Sequence, residues 1–571
     1  MKRAFLYLKH DFRKMCGGLT LKLLGAFSQL LIPWILARII DDVLPTGDAK
    51  PVILLGVCML LCAVLTVVCN IWANRISAYV AGSATERLRR DLFNRTIRLS
   101  ARDIDRFTIP SLISRLTSDT YEIQRMLGVV QRMGVRAPMI MLGGIVITLT
   151  LDPVLSLIML AAMPPMAVIT VLLSRRGVRL YKQARRTGDD MLRVVRENVT
   201  GVRVVKALSK GEYEKRRFNV QNRRLTESER SAGRTLAGVD PLMSVVLNLA
   251  LVAVIFAGAQ RVNAGLAEVG KIVAFLSYIT MIFNSLLAVT RLFSMFSRAS
   301  ASAGRIFEVL DCPAEPLLNS GDSLDGFDPS APAVRFESVS FRYPGSGFAI
   351  ENVSFEIGCG ETLGVIGATG SGKSTLLRLL LRFYSPDSGK IYLHGHDISG
   401  LSASALRSRF GVVFQNDILF AGSIAENLDF DRALSSGQLE RALDISCAAE
   451  FVDDMNAEVA IKGANFSGGQ KQRLMIARAI AGEPDILLLD DSSSALDYIT
   501  DSELRGKLDT KTVSTNIIIA QRVSSIMRAG RIIVLENGHI AGIGRHDELM
   551  ESCPIYRETY EVQMGGGEIE R

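Results

Sequence analysis

No CxxC pair occurs among the eight cysteines of this 571-residue chain, and they are scattered, which excludes a zinc ribbon or a disulfide framework as its organising element. Aromatic-interleaved basic patches are lacking too, so the net charge of +8 and the sequence pI near 9.0 are not read as a nucleic-acid interface. The apolar runs contain no carboxylate pair of the kind that would hold a cation. No small-residue cleavage site follows a short apolar core at the N-terminus. Instead MKRAFLYLKHDFRK alternates apolar and basic residues and reads as an interfacial amphipathic helix rather than a signal peptide. Cys58 and Cys62 share a helical face in mid-run and are expected to be buried free thiols.

What the chain has in excess is apolar surface. Hydrophobic residues make up 48% and the mean hydropathy is +0.25, concentrated in the first half. Apolar stretches cover residues 21–40, 52–73, 135–151, 154–173, 242–259 and 272–292. Each approaches the roughly 20 residues that cross a bilayer as a helix, so six membrane spans are expected. Loops DDVLPTGDAKP and Asp152-Pro153 are acidic or minimal and read as external. Residues 75–132 and 175–234 are rich in Arg and Lys, helical in period, and read as cytoplasmic continuations of the spans. Both termini then lie inside, in a multi-pass protein of a bacterial plasma membrane. Pro33, Pro164 and Pro165 either kink their helices or are tolerated by packing; the sequence leaves both open. A Pro-, Gly-, Ser- and Asp-rich stretch near Cys312 divides the chain into a membrane domain (1–311), a linker (312–332) and a second domain (333–571).

The second domain alternates strand-like and helix-like patterns and opens its chemistry with GATGSGKST. That string, Gly367, Ala368, Thr369, Gly370, Ser371, Gly372, Lys373, Ser374 and Thr375, fits GxxxxGK[ST] and lies between a strand-like run and a helix-like run. Its glycines let backbone N–H groups wrap phosphates, Lys373 reaches the β/γ oxygens and Ser374 faces Mg²⁺. The helix that follows adds the favourable end of its dipole. In DILLLD a buried strand ends at Asp490, placed to share the Mg²⁺ with Ser374; a strand-end Asp also caps turns. FSGGQ supplies the Ser467 hydroxyl and the backbone of Gly468 and Gly469, followed by Gln470, at a helix start, a second anion cradle.

With these motifs in this order the chain resembles, over nearly its whole length, the ABC exporters of the six-helix, domain-swapped kind. LISRLTSDT and ENVTGVRVVKAL look like their two intracellular-loop motifs. The resemblance implies an all-α six-helix transmembrane domain plus an α/β P-loop ATPase domain, with ATP and Mg²⁺ as ligands. It implies that Tyr343 stacks on adenine, though alone it would be a packing residue, and that Gln415 reaches Mg²⁺ and the attacking water, though a lone Gln is usually surface. It further implies that Ser467, Gly468, Gly469 and Gln470 serve the nucleotide of an opposite subunit, with SALD (Ser494 to Asp497) across the same interface.

Three positions depart from that pattern. The general base expected as Glu is Asp491, one methylene shorter, so its carboxylate falls short by roughly 1.5 Å, and a misplacement near 1 Å already costs about a hundredfold. The switch histidine is Gln521, which hydrogen-bonds but does not titrate near neutrality. Ile461 stands where exporters place an acidic residue ahead of the signature. Phosphate and magnesium parts are therefore intact and water-activating parts altered. The expectation is one subunit of a heterodimeric exporter, with a second half-transporter chain, membrane lipid and an unidentified cargo as partners, and no nucleic acid. A homodimer with slow ATPase, an ATP-gated regulator and an importer on the same fold are the alternatives.

Overall fold

The structure, a computed structural model, describes residues 1–315, 331–345, 347–492, 494–511 and 514–564, so most of the expected linker (316–330) lies outside the described residues. Two compact units emerge: Met1–Thr96 with Pro110–Asp311, and Ile97–Ile109 with Cys312–Arg571.

The first unit is helical. Among the described residues six helices are long and apolar enough to cross a membrane: Lys2–Thr46, Ala49–Ile97, Ile109–Leu151, Pro153–Thr200, Gly211–Asn263 and Val269–Val289. Each expected stretch falls on one of them, the last on a helix that runs on to Asp311. Helices of 49 and 48 residues are more than twice the roughly 20 that a bilayer needs. Pro33 lies inside the first helix and Pro164 and Pro165 inside the fourth, and none of them ends its helix. Close packing explains several small residues: a Cβ on Gly144 would come 2.9 Å from Ile282, and one on Gly258 2.8 Å from Ile272. Tyr278, fully buried, donates its hydroxyl to the Leu30 carbonyl at 2.6 Å and ties the sixth span to the first.

The second span is the most apolar, with a mean hydropathy of 3.0 in a window of which only 6% is buried. Its outward Leu54, Leu60 and Leu61 suit a lipid solvent. That corrects the expectation for the thiols here: Cys58 is exposed and Cys62 only half-buried, because they sit on this outer face instead of between helices.

Among its described residues the second unit holds three sheets. β1 (Val334–Arg342), β2 (Phe348–Ile357), β4 (Ser388–Leu393) and β5 (His396–Asp397) form an antiparallel sheet in the order β2-β1-β4-β5. The other large sheet contains β3 (Thr362–Gly367), β6 (Phe410–Val413), β9 (Ile486–Asp490), β10 (Thr515–Ile519), β11 (Arg531–Glu536) and β12 (His539–Gly544), ordered β12-β11-β3-β10-β9-β6. β7 (Gly422–Ser423) and β8 (Glu458–Val459) pair as a ribbon. In the six-stranded sheet all pairs are parallel except β11 with β12. Every residue of β9 and β10 is buried, the continuous apolar run expected of strands covered on both faces.

Residues Ile97–Ile109 leave the helical unit and belong to this one. Ser100 caps the short helix Ala101–Phe107 by accepting from the Asp103 amide. Ala101 packs on the core around Phe336 and Tyr384, and Tyr384 donates its hydroxyl to Asp105. The Glu315 amide closes the segment by donating to the Arg98 carbonyl at 2.8 Å.

Candidate nucleotide site

Four strands of one parallel arrangement end side by side, and the loops after them build the site. β3 runs into the Gly-rich loop, β10 into Gln521, β9 into Asp490 and Asp491, and β6 towards Gln415; their order is β3-β10-β9-β6. This is the carboxyl edge of a parallel sheet, where ligands of α/β folds bind.

The loop itself is shaped by contact. Gly372 has φ 103°, and a Cβ there would fall 2.4 Å from the Ala349 carbonyl; one on Gly367 would fall 2.2 Å from the Leu535 carbonyl. No side chain fits at either place without displacing a carbonyl, so the loop passes close to β2 and β11 just ahead of the helix Lys373–Leu380. Around it lies a cavity of about 420 Å³ lined by Tyr343, Gly347, Phe348, Ala349, Thr369, Gly370, Gly372, Lys373, Ser374, Thr375, Gln415, Asp490, Asp491, Ile519 and Gln521. Gly367, Ala368 and Ser371 shape the loop from behind and do not line the cavity, Ser371 being buried.

Charge is arranged along this cavity. Lys373 donates to the carbonyls of Gly367 at 2.6 Å and Ala368 at 2.8 Å. Burial pushes its ammonium pKa down, and the carboxylates of Asp490 and Asp491 oppose that shift. Asp490 is 5% exposed, and burial holds its carboxyl above the usual carboxylate range, with the Ser374 hydroxyl bond working the other way. Ser374, Asp490 and the amide oxygen of Gln415 are hard oxygen donors, a set that fits Mg²⁺. Burial also raises Asp491, against a hydrogen bond from Gln415. Its carboxylate oxygen Oδ2 accepts from Gln521 Nε2 at 3.1 Å and from Gln415 Nε2 at 3.5 Å. Asp491 adopts φ 52°, a left-handed conformation that short polar Asp tolerates.

Tyr343 is half-buried and edge-on to Phe341 and Tyr384, with ring centroids 4.9 and 5.3 Å away. Arg378 donates to its hydroxyl at 3.1 Å, so the ring is both packed and part of the cavity wall. Phe348, Ala349 and Ile519 also line the wall; no motif marks them, because the turn that brings β2 against the Gly-rich loop is tertiary.

The signature residues are elsewhere. Ser467, Gly468, Gly469 and Gln470 do not line this cavity. Ser467 caps the helix Gly468–Ile480, accepting from the Gln470 amide at 3.2 Å, while Gln470 Oε1 accepts from the Ser467 amide at 2.9 Å. Gln472 fastens SALD to this helix: it donates to Ser494 Oγ at 3.1 Å and accepts from the Ala495 amide at 2.9 Å. That residue went unnoticed in the sequence, although FSGGQKQR contains it. Ile461 is 75% exposed.

Comparison with known proteins agrees with this arrangement. Residues 15–286 match the ABC transporter transmembrane region and residues 350–494 the ABC transporter family. The chain is 33% identical to YfiB of Bacillus subtilis, an uncharacterized ABC transporter ATP-binding protein, over 99% of both chains. It belongs to the ABC transporters. Among other members, the ATP-dependent lipid A-core flippase of Bordetella avium is 31% identical, covering 87% of this chain and 85% of that one. A bacterial Atm1-family ABC exporter with ATP bound superposes with a TM-score of 0.81 over 98% of this chain and 99% of that one; at 24% identity the likeness shows the fold. This ABC transporter therefore combines six apolar membrane helices with an α/β nucleotide-binding unit of the family that couples ATP hydrolysis to transport.

Proposed function

We propose that this ABC transporter is one subunit of a heterodimeric exporter, whose own pocket holds Mg-ATP with little turnover and whose FSGGQ completes the active site of a second chain. The observation that carries the reading is the state of Asp491. Its carboxylate is one methylene short of the expected base, and the same oxygen already accepts from two amides, Gln521 and Gln415. Two amide donors on Oδ2 leave Oδ1 as the oxygen that could receive a water proton, at the end of a side chain one methylene short, and the neighbour that might have been an imidazole is an amide without a titration near neutrality. The holding residues are complete: the Gly-rich backbone and Lys373 grip phosphate oxygens, Tyr343 offers a ring to adenine, and Ser374, Asp490 and Gln415 hold the cation. Bound magnesium neutralises phosphate charge. With Ser467 and Gly468 exposed outside this cavity, the signature is available to another chain.

Orientation follows the basic segments. Residues 75–132 and 175–234 face the cytoplasm with both termini and the nucleotide-binding unit, and the acidic loop after the first span faces out. The likeness to an exporter fold supports export as the direction.

The deciding experiment is purification of the tagged chain from native membranes with identification of whatever copurifies. A second ABC half-transporter carrying Glu and His at the positions of Asp491 and Gln521 is the expected result. A homodimer with full ATPase activity overturns the asymmetric reading, and ATP-dependent uptake by inside-out vesicles separates export from a purely regulatory role.

A further inference from the structure

The loop that carries Gln521 is held from behind by the C-terminal helix. β10 ends at Ile519, so the backbone that follows has left the sheet and must satisfy its polar groups elsewhere. Gln563, in the last turn of the helix Pro554–Met564, meets two of them with one side chain. Its Oε1 accepts from the Val523 amide at 2.7 Å, and its Nε2 donates to the Gln521 carbonyl at 2.8 Å. An amide side chain offers a donor and an acceptor side by side, as a peptide group does, whereas a carboxylate offers acceptors only. One carboxamide thus spans Arg522 and fixes the backbone on both sides of it.

The helix end of this contact is anchored. Tyr556 is fully buried with its hydroxyl 2.9 Å from His546 Nδ1, and Tyr560 packs on the core. Arg557 donates to the carbonyls of Met550 at 2.6 Å and Glu551 at 2.7 Å, closing the preceding helix, His546–Ser552. At the loop end Val523 is fully buried, while Gln521 is exposed and lines the nucleotide cavity. There Gln521 Nε2 donates to Asp491 Oδ2 at 3.1 Å. A continuous run of contacts therefore leads from the anchored helix through the carboxamide and the loop to a carboxylate of the cavity. Gln563 lies 42 residues beyond Gln521 and does not itself line that cavity.

We propose that Gln563 is a positioning residue of the nucleotide site: it aims Gln521 at Asp491 and so sets how long a nucleotide stays in this pocket. Without the carboxamide, the loop would have to be ordered each time the pocket fills, and retention falls by that cost. This role rests on the cavity's being a nucleotide pocket and not on the heterodimer.

The test uses the full complex with Mg²⁺ and 8-azido-ATP, chased with unlabelled ATP before irradiation, the label being read on this chain after separation. Gln563→Ala should shorten retention about fivefold or more, the weight of two hydrogen bonds. Gln563→Glu keeps the length but sets a carboxylate oxygen against the Gln521 carbonyl, and should do the same. Gln521→Ala should also shorten retention, and adding Gln563→Ala to it should change little further, because one residue acts through the other. Tyr556→Phe, which loosens the same helix at its other end, should lower the unfolding temperature more than Gln563→Ala does and leave retention near wild type. Unchanged retention in Gln563→Ala, effects of the two alanine substitutions that multiply, or an equal loss in Tyr556→Phe overturns the role and leaves Gln563 a fastening of the C-terminal helix. Labelling of the wild-type chain that Lys373→Ala does not remove would instead sink the pocket reading, and this role with it. Which chain copurifies bears on neither.

Discussion

The two sides of the nucleotide cavity have been treated differently. On the side proposed to hold phosphate stand Gly367, Gly372, Lys373, Ser374 and Asp490, with two glycines where a Cβ would strike a carbonyl. On the water side, Asp491 is short and engaged by two amides, and Gln521 is not an imidazole. Binding and bond cleavage make different demands. Occupancy needs a cradle and a cation, whereas hydrolysis needs a base within hydrogen-bond reach of a water. On the proposed reading, a chain that lost only the second would keep its nucleotide as a structural element.

The largest effect that would break this comparison involves a residue outside the cavity. Gly468→Asp places a carboxylate where the signature is proposed to meet a partner's nucleotide, and steady-state ATPase of the complex should fall by about 10²-fold or more, the cost of losing transition-state donors. Asp491→Asn in the same assay should leave most of the activity. Equal, severe losses would make Asp491 a working base and the two sides of the cavity alike.

Next in size is Lys373→Ala. Removing the ammonium should abolish nucleotide retention by this chain, measured by photolabelling with an ATP analogue, while part of the complex's hydrolysis survives. Complete loss of ATPase with label still bound here would contradict the division.

The comparison is sharpened by restoration. Asp491→Glu with Gln521→His should raise hydrolysis several-fold when the partner's own base is disabled, since a base in reach is the missing element. The left-handed φ of 52° at Asp491 will limit the gain, because Glu tolerates that conformation less well than Asp.

The smallest effect is in pH. Burial raises Asp490, so its protonated form persists to higher pH than in an ordinary Asp. A protonated carboxyl does not ligate the cation; magnesium-dependent nucleotide affinity should therefore be full near pH 7.5 and be lost as pH falls through the raised pKa. Titration calorimetry at descending pH checks this. Asp490→Asn should flatten the profile.

Some of this was legible as strings. GATGSGKST, DILLLD and FSGGQ are local in sequence, and each carries its own physics: a turn that needs glycine, an apolar strand closed by a carboxylate, a capped helix start. The six spans were legible for a similar reason, since length and hydropathy alone decide what a bilayer accepts. Tyr343 was only half legible, because its cavity position depends on packing by Phe341 and Tyr384. Cys58 and Cys62 were misjudged because an apolar run does not say which of its faces meets a neighbour and which meets lipid.

What the sequence determined by itself is where the Gly-rich string and the FSGGQ string stand, which six stretches are long and apolar enough to cross a membrane, and that Asp491 and Gln521 follow the strands they do. Tertiary structure alone decided the rest. It joined Gln415, Asp491 and Gln521, residues far apart in the chain, through the strand order β10-β9-β6, in which parallel neighbours end at the same edge. It assigned Ile97–Ile109 to the nucleotide-binding unit through Ala101 and Asp105. The physical reason is the same throughout: a motif fixes what a residue offers, but only the register of packed strands and helices fixes what that residue faces.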